Sequence, residues 1–376
     1  MAGLKAPELS LEIFGAVITS DCSTFYPGLE LLNNIICESE GRILPSEEDV
    51  KFTRYSHSFA RRLSRDPELS QAEKASVVQD SLTEETIRDL LRCLEVDLEF
   101  TTKTPEWARI HFFPYTSAMS HWDARPKKGS SRRVHGDPLQ VEIERRYFRG
   151  TGAYAYNTLR FDKNLQRLER IRRKLAEIFS KSDKSPLNEL MQTLREHGTR
   201  GKAVSDEIEC RSRLVRDDHE LEEIYRASVD NLLGHNLPSA VLLRSLVRWT
   251  GLWFIFMSNY RAVSALEGDS PCPFIVDCQG GNNQLRKASQ KSLKDFLSRI
   301  ESGVKFRLDG REMSATQEQK IKSFYTSSLA GLHVINALKG RRHFTLDLDC
   351  VETLVLAQVP PKSDMPFDEF MHEILY

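Results

Sequence analysis

Asp277 is the residue whose neighbours best suit it to chemistry. It ends the apolar run Phe274-Ile275-Val276 and precedes Gly280-Gly281 and Asn282-Asn283. A β-branched and aromatic run between turn residues predicts a short buried strand. The glycines predict a tight turn, and either Asn can cap the helix that follows. A strand end, a glycine turn and a helix N-terminus can hold an anion on backbone N–H groups, with the carboxylate as metal ligand or base. The sequence has neither G-x-x-x-x-G-K-[ST] nor G-x-G-x-x-G, the patterns that make such a turn a phosphate site. The reading favoured by the absence of those patterns is a capped strand-turn-helix with no chemistry of its own.

The second group is cationic. Arg125, Lys127, Lys128, Arg132 and Arg133 lie in a Gly/Ser/Pro-rich stretch. Arg145, Arg146 and Arg149 follow beside Tyr147, Phe148, Tyr154 and Tyr156, with Gly150 and Gly152 between. Cations neutralise phosphates, and aromatic rings offer stacking faces to unpaired bases. Glycine lets backbone approach a ligand closely. The plain alternative is a charged, solvated linker. The whole chain carries a net charge of −1. Residues 121–174 hold fifteen Lys and Arg against six Asp and Glu, so the excess of +9 there is balanced by −10 elsewhere. Such asymmetry points to a polyanionic partner, DNA or RNA, for one segment rather than for the whole molecule.

Other candidates are weaker. His111, His121 and His135 fit no standard ligand spacing, so no metal or cofactor is expected. Asp217, Asp218, His219 and Glu220 would point in different directions on a helix. No nucleophile, base and orienting group can be picked out together, which makes a non-catalytic role the leading expectation. The seven cysteines are scattered, odd in number and without C-x-x-C, which argues for free thiols in a reducing cytoplasm. No signal peptide is visible at the N-terminus.

The elements that must position these residues read as a mainly helical α+β protein. Helices are expected at Leu29–Cys37, from Glu47 to Leu63, from Ser81 to Leu94, from Phe161 to Phe179 and from Val204 to Leu233. Val96–Phe100 and Ala108–Phe113 alternate as a hairpin would. After Leu237-Pro238 comes a helix to about Leu266 that is apolar on nearly all sides, from Val241 to Phe256. Its uninterrupted apolar run is short of the ~20 residues a membrane span needs, so it is expected as the buried central helix, with no membrane partner. The helix after Asn282 shows Arg286, Lys287, Lys291, Lys294 and Arg299 to solvent. Val304, Phe306 and Leu308 suggest a strand, and a helix from Thr316 to Leu338 follows. Four consecutive regions result: 1–120, mostly helical with one hairpin; 121–160, the basic Gly/aromatic segment; 161–310, a helical core with the strand-turn-helix; and 311–376, a small winged-helix-like module.

Phe274-Ile-Val-Asp-Cys with the Arg286–Ser292 helix, and the closing Glu352–Pro361 and Met365–Phe370 stretches, resemble accessory proteins of multi-gene bacterial anti-phage defence clusters of the methylation- or phosphorothioation-associated kind. The resemblance covers about a quarter of the chain and carries over no site residue. It implies a cytoplasmic, DNA-linked component that works beside an ATPase or helicase. The expectation is a non-catalytic nucleic-acid-associated subunit of such a complex. Its alternatives are a metal-dependent enzyme on nucleotides or nucleic acid built on Asp277 and Gly280-Gly281, and a pure protein scaffold.

Overall fold

The structure is a computed structural model of the chain. It describes residues 25–38, 40–47, 50–54, 57–74, 81–96, 107, 110–120, 124–126, 141–143, 151–199, 204–207, 219–263, 274–278, 280, 282–307, 314–336 and 341–375. These are mainly helical, with three two-stranded antiparallel sheets. The chain divides into two compact units, each assembled from distant stretches. One comprises 1–31, 149–174 and 211–376, and the other 32–148 and 175–210. The division follows contacts rather than chain order, and the expected boundaries at 120, 160 and 310 do not coincide with it.

In order, the elements are α1 (Phe25–Ile36), β1 (Lys51–Arg54), α2 (Ser58–Arg65), α3 (Gln71–Lys74), α4 (Ser81–Leu94), β2 (Glu95–Val96), β3 (His111–Phe112), β4 (Ala124–Pro126), β5 (Val141–Ile143), α5 (Thr151–Arg160), α6 (Leu165–Ser182), α7 (Pro186–Thr199), β6 (Val204–Glu207), α8 (His219–Gly234), α9 (Ser239–Val263), α10 (Asn283–Arg307), α11 (Ala315–Gly331), α12 (Leu348–Gln358) and α13 (Phe367–Leu375).

The first unit is organised on α9. Pro238 leads into it, and the Pro238 carbonyl accepts the Val241 N–H at 2.9 Å. Leu242, Leu246, Val247, Trp249, Leu252, Trp253, Phe254 and Met257 are all buried, so most of the helix sits inside a large core, with Ala240, Arg244 and Tyr260 exposed. By length and composition it could cross a membrane, but 72% of that window is buried inside the protein. Helices α8, α10 and α12 pack on it. At Gly28 an added Cβ would stand 2.3 Å from the Val247 carbonyl oxygen, so α1 can cross α9 only with hydrogen there.

Three expectations are corrected here. Phe274–Val276 joins no sheet among the described residues; Ile275 N–H reaches Ser292 Oγ and Asp277 N–H reaches the Phe344 carbonyl. Its apolar residues act as a plug instead, with Phe274 packed on Phe256, Phe296 and Phe344 at 5.1–5.5 Å. Val304 belongs to no strand, because α10 continues to Arg307. Val304 extends the buried Phe296 and Ile300 row at helical spacing, and Glu301 pairs with Lys305 across one turn. Helix α11 stops at Gly331, where His333 takes φ 60° and Val334 N–H returns to the Leu329 carbonyl. Beyond it Ile335 makes a single antiparallel bridge to Phe344.

The second unit has its own core, in which Phe59, Leu63, Leu91, Leu94, Ile110, Phe112, Met119, Met191 and Leu194 meet. The expected hairpin pairing occurs as β2 with β3, Glu95 opposite Phe112. The expected helix across 47–63 is instead strand β1 followed by α2, and 204–207 is strand β6 rather than helix. The two strands pair with each other, Lys51 opposite Glu207.

Candidate nucleic-acid interface

Of the expected nucleic-acid residues, Arg125 lies in β4, in register opposite Glu142 of β5. Lys127, Lys128, Arg132, Arg133, Arg145, Arg146, Tyr147 and Arg149 lie outside the described residues. Tyr154 is corrected. It sits in α5, not in an open segment, and is buried. Its ring stacks on Trp253 at 5.6 Å and 11°. Its hydroxyl donates to Glu222 Oε1 and accepts from Arg261 Nη2, both at 2.8 Å. No face is left for a base. Tyr156 is buried too. Gly152 serves packing: its N–H donates to Glu30 Oε2 at 2.8 Å, and a Cβ there would fall 2.4 Å from the Glu30 Cβ.

The cations of α6 are mostly occupied. Helix α5 ends before Phe161, and Asp162 and Asn164 restart the chain. Asn164 N–H donates to Asp162 Oδ1, and Arg167 N–H to Asn164 Oδ1, a side-chain cap that sets the start of α6 at Leu165. The Arg167 guanidinium then forks onto both Asp162 oxygens (2.6 and 2.8 Å) and onto Glu223 of α8. Its pKa rises, the Asp162 bond being the main cause. Burial would push the Asp162 carboxyl up, yet the bonds from Arg167 and Asn164 hold it below its usual range. Glu223 is lowered chiefly by the Arg167 bond. Arg226 continues the network to the Thr158 carbonyl (2.7 Å) and Glu222 (3.0 Å). Arg170 pairs with Asp230, Arg172 with Glu169 and Lys181 with Glu177. Glu223 and Asp230 of α8 thus offset two of the cations between 160 and 174, while Arg173 and Lys174 make no ion pair among the described residues.

Asp277 is also occupied. Its side chain is fully buried and ion-paired with Arg286 of α10. It accepts the Gly280 N–H at 3.1 Å, and Gly280 takes φ 72°, which favours glycine. The Asn282 side chain accepts the Gln284 and Leu285 N–H groups at 2.9 and 3.1 Å, the cap expected for this helix. The carboxylate clamps the turn to the helix, and Asn282 fills N–H groups that an anion would otherwise use. Gly281 lies outside the described residues.

Nearby, Asp347 caps α12 through the Cys350 N–H (2.7 Å) and meets Arg248 and His333. The buried Cys350 thiol is pushed up to about 12, burial being the main cause, so at neutral pH it carries its proton and is a poor nucleophile. Among the described residues no three His, Cys, Asp or Glu side chains are grouped to hold a metal ion.

A row of cations on α10 is not occupied. Lys287, Lys291 and Lys294 are exposed on α10, and among the described residues none of them makes an ion pair. Spacings of four and three put them on one face. At 1.5 Å per residue the row is roughly 10 Å long, a length over which a duplex presents about six phosphate charges. It begins one turn from the helix N-terminus, the positive end of the helix dipole. Sequence reading placed these lysines in solvent but did not single them out. The signal was available: α6 has Glu169 and Glu177 three or four residues from its cations, whereas on α10 Asp295 alone stands at such a spacing from a lysine of the row.

Comparison of the chain with protein-family models, with curated proteins and with solved structures finds no match.

Proposed function

We propose that the chain is a non-catalytic nucleic-acid-associated subunit of a bacterial anti-phage defence complex, acting in the cytoplasm beside an ATPase or helicase. The lysine row on α10 carries the nucleic-acid part of this reading. Unpaired ammonium groups in a line can each replace a condensed counterion on a phosphate backbone. The Arg125–Arg149 segment supplies further cations in the same reading. The tie of Asp277 to Arg286 and Gly280 supports a structural role for that turn over a catalytic one. The C-terminal helices with the Ile335–Phe344 bridge make up the winged-helix-like module of the proposal, used to meet partners. The defence setting rests on the resemblance in the closing helices and the Phe274–Ser292 stretch.

The test is binding of single- and double-stranded DNA and RNA at low salt. Binding is expected, and it weakens when Arg132, Arg133, Arg145, Arg146 and Arg149 are neutralised together or when the three lysines are. Absence of binding at low salt overturns the nucleic-acid reading.

A further inference from the structure

Helix α12 buries Cys350, Thr353, Leu354, Leu356 and Ala357, packing on α8 and α9. Its opposite face keeps Leu348, Val351 and Val355 exposed, Leu348 to 82%. Spacings of three and four align them in one row. Phe367, 72% exposed, opens α13, which packs on α12. A row of three on one helix, with an exposed Phe on the helix packed against it, has the character of an interaction surface rather than of scattered exposure.

The surrounding charge selects what can cover it. Asp349 and Glu352 on α12, with Asp364, Asp368 and Glu369 around the start of α13, are all exposed. Asp349 meets Arg248; among the described residues the other four make no ion pair. Lys362 is the cation between the two helices. A second copy docked through the same face would bring these carboxylates against their own kind. Anionic lipid and nucleic acid would be repelled in the same way. A helix with apolar residues at three- and four-residue spacing, flanked by Lys or Arg, satisfies both the apolar row and the acidic rim.

We infer that the outer face of α12, with the start of α13, docks a cationic amphipathic helix of a partner protein. The inference rests on the assembly half of the proposed function and is independent of its nucleic-acid half.

The experiment uses the full-length protein and a fluorescent Leu/Lys amphipathic peptide of about five turns. A scrambled peptide of the same composition and a Leu/Glu peptide of the same pattern serve as controls. The Leu/Lys peptide is expected to bind and both controls to fail. Replacing Leu348, Val351 and Val355 by Ser is expected to weaken binding by at least about tenfold. Reversing charge with Glu352→Lys, Asp368→Lys and Glu369→Lys does the same, and more so at low salt. All six positions are exposed, and circular dichroism and thermal melts verify that both variants fold. Nucleic-acid binding measured on the Ser variant, whose charge is unchanged, stays at the wild-type level, so absence of nucleic-acid binding by the wild type speaks to the other reading alone. Equal binding of the scrambled peptide, unchanged binding in both variants, or self-association of the wild type lost in the Ser variant would each overturn the inference.

Discussion

Helices α6 and α10 are both long and rich in Lys and Arg, and the fold uses them differently. On α6, Arg167 is nearly buried and held by two carboxylates, and Arg170, Arg172 and Lys181 each meet one, while Arg173 and Lys174 make no ion pair among the described residues. On α10, Arg286 and Lys305 are held at the two ends, and Lys287, Lys291 and Lys294 between them are not. Charge composition alone ranked α6 with the basic segment. Placement of the acids reverses the order: a cation matched by a nearby carboxylate is part of the architecture, and one left in water can serve a phosphate.

The largest effect expected from this contrast is on stability. Arg167→Ala strips the buried Asp162 carboxylate of its partner, and removal of one member of a buried pair costs about 3–5 kcal/mol. A urea melt of the variant should show that loss; a change below about 1 kcal/mol would mean the network behaves as a surface pair. Asp277→Asn comes next. It leaves Arg286 unpaired and loosens the Gly280 turn, at a cost of about 1–3 kcal/mol, with nucleic-acid binding kept. Metal-dependent turnover by the wild type that vanishes in a folded Asp277→Asn protein would instead revive the enzyme reading.

Acid should separate the two units. In the second unit His111 is buried, and burial, then the Arg61 charge, holds its pKa well below the ordinary value. The unfolded chain therefore takes up a proton before the folded one does. Stability of that unit falls as pH drops below about 6.5. In the first unit the lowered Asp162 and Glu223 contribute stability that is complete above the ordinary carboxylate range and lost only as pH falls beneath about 4. Hydrogen exchange followed along a pH series should show protection lost first around Phe112 and Met119 and later around α5 and α8. Simultaneous loss would contradict this assignment of the two sensors. The smallest effect is Arg170→Gln, an exposed pair with Asp230 whose loss costs under about 1 kcal/mol and leaves binding unchanged in a filter-binding assay.

The parts of the fold legible in the sequence were those with long apolar periodicity or explicit punctuation. Helix α9 was clear from its Leu237-Pro238 start and all-round apolar content, α4 from its core spacing, and the α10 cap from Asn282. The β1–β6 pair was not legible, because four residues at 51 meet four at 204 and neither stretch is long enough to show alternation. Helix α5 is not legible, and α6 is expected from Phe161 rather than Leu165, because Asp162 and Asn164 separate the two helices within a few residues by side-chain bonds rather than by Gly or Pro. Tyr154 was misjudged for a related reason. Its aromatic and glycine neighbours suit base stacking, but the same residues suit close helix packing, and Trp253 and Arg261, a hundred residues away, decide between the two. The lysine row was visible as solvent-facing charge, yet only the three-dimensional placement of Asp277, Glu301 and Glu318 shows which cations remain unpaired.

The most direct test of the central claim is a salt titration of duplex DNA binding by the wild type and by the Lys287→Gln, Lys291→Gln, Lys294→Gln triple variant. Each phosphate contact contributes about −0.9 to the slope of log affinity against log salt. The account predicts a triple variant with wild-type stability and a slope shallower by about 2.7. An unchanged slope would contradict it and would leave the α10 lysines as ordinary solvated charge.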